Sequence, residues 1–127
     1  MEFKMKQESF QADFEYGTLS VSADDNQGFR PFQLLVSSLA VCSGTVLQKI
    51  LAKKRISYDD ITIRADVTRN PDKAGRVERI HIHFIIKGDR LDDGKIKKSL
   101  EVAKKNCSMV QSVIDSIEVK ETYELVS

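Results

Sequence analysis

The segment from Pro31 to Gln48 contains no charged residue, although 31% of the whole chain is charged. As an α-helix, a segment of this length would rise about 27 Å, close to the thickness of the hydrocarbon layer of a membrane. It also contains several polar residues: Gln33, Ser37, Ser38, Ser43, Thr45 and Gln48. Because its flanking segments alternate like strands, we expect a buried core helix and no membrane span.

The length and charge of the chain narrow the possible functions. A chain of 127 residues suits one domain, so we predict a single domain over residues 1–127. Twenty basic residues nearly balance 19 acidic ones, so the net charge of +1 gives no indication of binding to nucleic acid or to an anionic membrane. The N-terminus has no apolar segment typical of a signal peptide, and two cysteines are too few for a disulfide scaffold. We therefore expect a cytoplasmic protein.

The order of elements indicates an α+β protein. Residues 2–22 alternate loosely, with Gly17 at the position of a hairpin turn. Residues 60–69 and 76–87 alternate cleanly and predict a long antiparallel hairpin with one wet face. Apolar residues then recur at helical spacing from Ile96 to Ile117, in one helix or in two broken at Asn106, before a last strand. This order predicts an antiparallel sheet with helices on one face.

The uncharged segment has the periodicity of one helix. Pro31 suits the first turn, where its missing N–H costs nothing. An apolar stripe follows at spacings of four, three, four and four: Leu35, Leu39, Cys42, Val46 and Ile50. The remaining positions are mostly apolar or small, so we expect a central, closely packed helix.

Both cysteines, Cys42 and Cys107, fall on apolar stripes, and the simplest interpretation is that they are small buried hydrophobic residues. Three features favour a chemical role. Asn106 is a good N-cap, so a helix starting there would stabilise a Cys107 thiolate. Lys104 and Lys105 would act in the same direction. Small residues around Cys42 would allow a substrate to approach its sulfur, and an apolar pocket would suit an organic hydroperoxide.

The pattern Pro31, Leu34, Leu35, Leu39 and Cys42 resembles the central helix of the OsmC/Ohr family, and KKNCSMVQSV resembles that family's second-cysteine helix. The resemblance implies an α+β fold with a buried central helix, an intertwined homodimer, and reduction of organic or inorganic hydroperoxides. Cys42 would attack the peroxide and become a sulfenic acid, and Cys107 would resolve it as a disulfide. A dithiol reductant would then reset the pair, without a metal or organic cofactor.

The chain departs from the family pattern at three positions. Phe32 stands where active members have a Glu, no arginine precedes Arg30, and Ser108 replaces a frequent proline. Together with the resemblance, this makes Arg30, Phe32 and Leu39 the candidates for the substrate pocket. It also leaves a second hypothesis: a catalytically weak OsmC-fold protein that binds an apolar ligand or partner at the dimer interface. A low pKa of Cys42 would favour the enzyme, and an ordinary one the binding protein.

Two further patterns have simpler interpretations. His81 and His83 share one face of a strand, but Arg79 lies on that face and no third ligand is near, so we predict no metal site. The basic segment 95–105 lacks interleaved aromatic residues and is interpreted as a solvated helix face.

Overall fold

The computed structural model describes residues 1–127 and divides into two compact units, Met1–Ser37 and Ser38–Ser127. A single domain over the whole length stays a prediction. The strands are β1 (Lys4–Lys6), β2 (Ser9–Asp13), β3 (Thr18–Val21), β4 (Asp60–Asn70), β5 (Arg76–Lys87) and β6 (Glu118–Val126). The helices are α1 (Pro31–Lys53), α2 (Asp93–Asn106) and α3 (Ser108–Val113). The α+β class is confirmed.

The first unit contains a three-stranded antiparallel sheet in the order β1-β2-β3. The turn between β2 and β3 lies at Gly17 as expected, because Phe14 and Gly17 exchange two backbone hydrogen bonds of 3.0 and 3.1 Å. The polar loop after β3 returns close to that strand. Gly28 lies against Ser20, so a Cβ placed there would be 2.6 Å from the Ser20 carbonyl oxygen.

The second unit contains a sheet in the order β4-β5-β6. The predicted hairpin of β4 and β5 forms in antiparallel register, and Ile63 opposes Phe84. Its turn starts where the Asn70 side chain accepts a hydrogen bond from the Asp72 N–H at 3.0 Å. Ala74 and Gly75 then take positive φ values of 58° and 69°, which reverse the chain.

Strand β6 pairs with β5 in parallel, so this sheet is mixed and not wholly antiparallel. The chain reaches β6 through α2 and α3, and a helical crossover returns it in the same direction as β5. Alternate residues of β5 point into the core and are fully buried, as are two residues of the helical crossover. These residues are Ile80, Ile82, Phe84, Ile86, Ile96 and Val110.

Helix α1 buries a different face from the predicted one. Its buried residues are Leu39, Ala40, Ser43, Gly44, Leu47 and Leu51. Of the predicted stripe only Leu39 is buried, whereas Cys42 is half-buried. The apolar pattern missed this face because the residues of α1 that pack most closely are small and not strongly apolar. At Gly44, for example, an added Cβ would lie 2.6 Å from Cδ1 of Ile63.

By length and composition alone α1 could cross a membrane, and 33% of its most apolar window is buried in the single chain. Core helices often meet the same two criteria. The structure shows the helix packed along one face, with Val41 on the other face 63% exposed.

Candidate active site

The second cysteine lies at the junction between two helices. Cys107 has the extended angles φ −82° and ψ 106°, which end α2 and precede α3. Side-chain amides and the Cys107 N–H bind carbonyls near the end of α2: Asn106 donates to Val102 at 2.8 Å, Gln111 donates to Lys104 at 3.1 Å, and the Cys107 N–H donates to Lys104 at 3.4 Å. The sequence left open whether this segment forms one helix or two. The structure has two helices, and the break lies at Cys107, one residue later than the position considered.

The structure brings the two thiols together, and both are free. Cys42 on α1 faces the start of α3, and its Sγ lies 3.9 Å from Oγ of Ser108. The backbone N–H of Met109 and the thiol of Cys107 lie close enough to the Cys42 sulfur to lower its pKa. Cys42 is half-buried, whereas Cys107 is 0% exposed. A reactant can therefore reach Cys42, and Cys107 can reach only Cys42 and its other buried neighbours.

The environments of the two sulfurs move their pKa values apart. The N–H of Met109, followed by the Cys107 thiol, lowers the pKa of Cys42, because these donors stabilise its thiolate. Burial raises the pKa of Cys107. The first turn of α3 therefore acts on both cysteines: the Val110 N–H lowers the pKa of Cys107 as predicted, although burial outweighs it, and the Met109 N–H lowers the pKa of Cys42, which was not predicted. Tertiary packing decides this, since α1 places Cys42 in front of the free N–H groups.

Two of the other residues expected to lower the pKa of Cys107, Asn106 and Lys104, are engaged elsewhere. Asn106 is the last residue of α2 and not an N-cap. The ammonium group of Lys104 donates to the Val119 carbonyl at 2.7 Å. Both predictions were wrong because the helix break lies one residue further along and turns these side chains towards α2 and β6.

Of the three predicted pocket residues, Arg30 directly precedes α1, and Phe32 and Leu39 lie within it. In the first unit, the guanidinium of Arg30 lies 4.9 Å from the ring centroid of Phe32, a cation–π contact at the N-terminal end of the helix. In the second unit, Leu39 is 1% exposed and packs in the core. Their role in a substrate pocket stays a prediction.

Two residues that sequence reasoning missed lie beside Cys107. The hydroxyl of Ser43 donates to Oε1 of Glu121 at 2.8 Å. The same hydroxyl lies close enough to the Cys107 sulfur to lower the pKa of that thiol. A usable signal was present, because Glu121 interrupts the inward-facing, otherwise uncharged alternation of β6 between Val119 and Tyr123.

Glu121 is half-buried, and its carboxyl group has an incomplete set of partners. Its Oε2 atom is buried without a hydrogen-bond partner. Burial raises the pKa of Glu121, while the Ser43 hydroxyl and the charge of Lys104 oppose that rise. The carboxyl group lines a cavity of about 280 Å³ together with Lys97, Leu100, Glu101, Lys104 and Tyr123.

The outer face of the second sheet carries the two histidines. His81 Nε2 and His83 Nδ1 lie 2.6 and 2.7 Å from the hydroxyl of Thr122, and His83 Nε2 lies 3.2 Å from Glu124. The structure contains no group of three or more His, Cys, Asp or Glu side chains arranged to hold a metal ion. Neighbouring side chains therefore account for the contacts of both rings.

Solved structures share this fold. A hypothetical protein from Aquifex aeolicus superposes with a TM-score of 0.87 at 24% identity, covering 98% of this chain and 92% of that chain. An OsmC-like protein from Mycoplasma pneumoniae gives 0.86 at 18% identity, covering 99% and 95%. An organic hydroperoxide resistance protein from Elizabethkingia anophelis gives 0.74 at 18% identity, covering 95% and 91%. At these identities the superpositions establish the fold.

No curated protein sequence is significantly similar to this one. The family model described as OsmC-like protein matches residues 24–122, which include both cysteines, α1, the hairpin, and α2 and α3. The match spans most of the chain and agrees with the structural superpositions, so this chain belongs to the OsmC-like protein family.

Proposed function

We propose that this protein is a thiol-dependent peroxidase that reduces organic or inorganic hydroperoxides without a metal or organic cofactor. The observation that carries the proposal is the pair of free thiols in mutual contact, in which the pKa of the more accessible Cys42 is lowered by the Met109 N–H. A stabilised thiolate is the nucleophile that peroxide reduction requires. Membership of the OsmC-like family supports the same chemistry.

In the first step the Cys42 thiolate attacks the terminal oxygen of the hydroperoxide. The O–O bond breaks, an S–O bond forms, and the leaving alkoxide takes a proton to become an alcohol. Cys42 is thereby oxidised by two electrons to a sulfenic acid. The N–H of Met109 and the hydroxyl of Ser108 lower the pKa of the attacking thiol and so favour its thiolate form.

In the second step Cys107 attacks the sulfur of the sulfenic acid. The S–S bond forms, the S–O bond breaks, and hydroxide leaves as water after protonation. A dithiol reductant then reduces the disulfide and becomes a disulfide itself. Burial of Cys107 protects this second thiol from direct oxidation by peroxide.

We also propose that the protein acts in the cytoplasm as a homodimer. Val41 is 63% exposed, and a groove beside it is lined by Gly44, Ile61 and Ile63. An apolar face of this kind is typical of an interface. Sedimentation should give twice the mass of one chain, and cell fractionation should recover the protein with the soluble cytoplasmic contents.

Peroxide consumption tests the enzymatic proposal. The wild type should turn over cumene hydroperoxide or hydrogen peroxide with dithiothreitol or a lipoyl dithiol, and Cys42→Ser should abolish turnover. Cys107→Ser should form a sulfenic acid that a dimedone probe traps. Thr45→Ser, one turn away on the exposed side of α1, is the matched control. Equal turnover in the wild type and Cys42→Ser would refute the role of Cys42.

One observation favours the second candidate, an OsmC-fold protein that binds an apolar ligand. The first unit contains an open groove of about 590 Å³ lined by apolar side chains, among them Phe10, Leu19 and Leu34. Fluorescence titration with a long-chain fatty acid tests this function. Saturable binding, together with a Cys42 pKa at its ordinary value, would favour it over the peroxidase.

A further inference from the structure

A chain of neighbouring polar groups leads from the redox pair to the half-buried side chain of Glu121. The Cys42 and Cys107 thiols lie close enough to shift each other's pKa, and the Ser43 hydroxyl lies close enough to Cys107 to lower the pKa of that thiol. That hydroxyl is 2.8 Å from Oε1 of Glu121. Ser43 and Cys107 are both 0% exposed, so the middle of the chain of contacts is closed to solvent. Glu121 lies at its far end and lines a cavity.

We propose that Glu121, acting through Ser43, accepts the proton that Cys107 loses when it attacks the oxidised sulfur of Cys42. The inference rests on the proposed function, because it assigns the proton acceptor of its second step. The role differs from that of the donors at Cys42. Those donors stabilise a thiolate before peroxide arrives, whereas Glu121 would create a thiolate at Cys107 afterwards.

Cys107 needs such an acceptor because it cannot release its proton directly to solvent. It has no exposed surface, and its pKa is raised by that burial. Few Cys107 thiols are therefore ionised at neutral pH. The Ser43 hydroxyl is suited to a relay, since its oxygen can accept the thiol proton while its own proton passes to Glu121.

Glu121 has the properties of the terminal acceptor. Burial raises its pKa, which makes it a stronger base than an exposed carboxylate. The charged or titratable groups around it are Lys104, whose charge opposes that rise, and Lys97, Glu101 and Tyr123 across the cavity. Its Oε2 atom has no partner within the protein. The cavity gives the accepted proton a route to solvent.

The step balances in protons and electrons. The proton of Cys107 moves to Ser43 as the Ser43 proton moves to Glu121, leaving a thiolate and a neutral carboxyl group. The thiolate attacks the sulfenic sulfur, the S–S bond forms, and hydroxide leaves and becomes water. Glu121 then loses its proton to solvent through the cavity.

The test uses the aromatic disulfide DTNB, so that it does not depend on peroxide. Cys42 first forms a mixed disulfide and releases one nitrothiobenzoate. Cys107 then attacks Cys42 and releases a second one, and both phases are followed by absorbance across a pH series. Glu121→Gln keeps the shape and the acceptor for Ser43, and Ser43→Ala removes the relay. Glu118→Gln, on the exposed face of β6, is the matched control.

In both relay variants we expect an unchanged first phase and a second phase about 100-fold slower at neutral pH. In alkaline buffer the second phase of both variants should reach the wild-type rate, because Cys107 there ionises without Ser43 and Glu121. A purely structural role would slow the second phase equally at every pH, and that result would overturn the proposal. A second phase at the wild-type rate in both variants would also overturn the proposal.

The same assay separates this inference from the proposed function. A wild type that consumes no peroxide but shows the pH-dependent deficit in the variants would refute the peroxidase and support the relay. Peroxide turnover that requires Cys42, combined with normal second phases in Glu121→Gln and Ser43→Ala, would refute only the relay.

Discussion

Replacing Ser108 by proline tests whether the first residues of α3 stabilise the Cys42 thiolate. Ser108 is the first residue of α3, where a proline ring fits the helical φ. The residue before it, Cys107, already has the extended conformation that a following proline demands. The substitution therefore removes the Ser108 N–H and hydroxyl, both of which lower the pKa of Cys42, without forcing the backbone to move.

Ser108→Pro should stabilise the fold and, at the same time, raise the pKa of Cys42. The fold should gain about 0.4–1 kcal/mol, because proline restricts the unfolded chain at a position whose native conformation it already matches. This gain corresponds to a rise in Tm of a few degrees. The pKa of Cys42 should rise, yet stay below that of an ordinary thiol, because its largest donor, the Met109 N–H, remains.

The assay is the pH dependence of Cys42 alkylation by iodoacetamide, combined with thermal unfolding of the reduced protein. Ser108→Ala is the control, since it removes the hydroxyl that lies 3.9 Å from the sulfur and keeps the N–H. The pKa should increase in the order wild type, Ser108→Ala, Ser108→Pro. Identical pKa values for the two variants would refute a contact from the Ser108 N–H. A lower Tm for Ser108→Pro would refute the conformation assigned to the start of α3.

Three further predictions concern stability. Gly28→Ala should cost about 1–3 kcal/mol in urea unfolding, because its Cβ would meet the Ser20 backbone; no loss would contradict that approach. Asp92→Ala should cost about 1 kcal/mol, since Asp92 caps α2 by accepting from the Lys95 N–H, and Asp92→Ser should restore most of it. The raised pKa of Glu121 means that its stabilising contribution is present below the ordinary pKa of Glu and is lost as pH rises through the raised one. Glu121→Gln should therefore gain stability relative to wild type over that range, and a pH-independent difference would refute it.

Periodicity predicted the elements that depend on local pattern. The alternation of β4 and β5 gave their hairpin, and Pro31 marked the first residue of α1. The direction of β6 could not be predicted, because parallel and antiparallel strands both alternate with period two. The buried face of α1 was missed because a stripe of apolar residues ignores Ser43 and Gly44, which pack closest.

At the candidate site, the sequence identified both cysteines but missed that the N–H groups of α3 also lower the pKa of Cys42. The effect on Cys42 was missed because Cys107 directly precedes α3 in sequence, whereas Cys42 approaches α3 only through the fold. Glu121 could have been singled out as a charged residue in an inward-facing position. Its partnership with Ser43 depends on the contact between α1 and β6, which no local pattern encodes.

The distance along the chain between the two thiols has a thermodynamic consequence. About 65 residues separate Cys42 from Cys107, and a covalent bond between them would lower the entropy of the unfolded chain enough to add about 4 kcal/mol to the stability of the oxidised protein. By linkage, the folded architecture favours oxidation by the same amount. Heat or denaturant should therefore make the midpoint reduction potential less negative. A disulfide between Cys42 and Cys107 would then be reduced more easily when the fold is loosened.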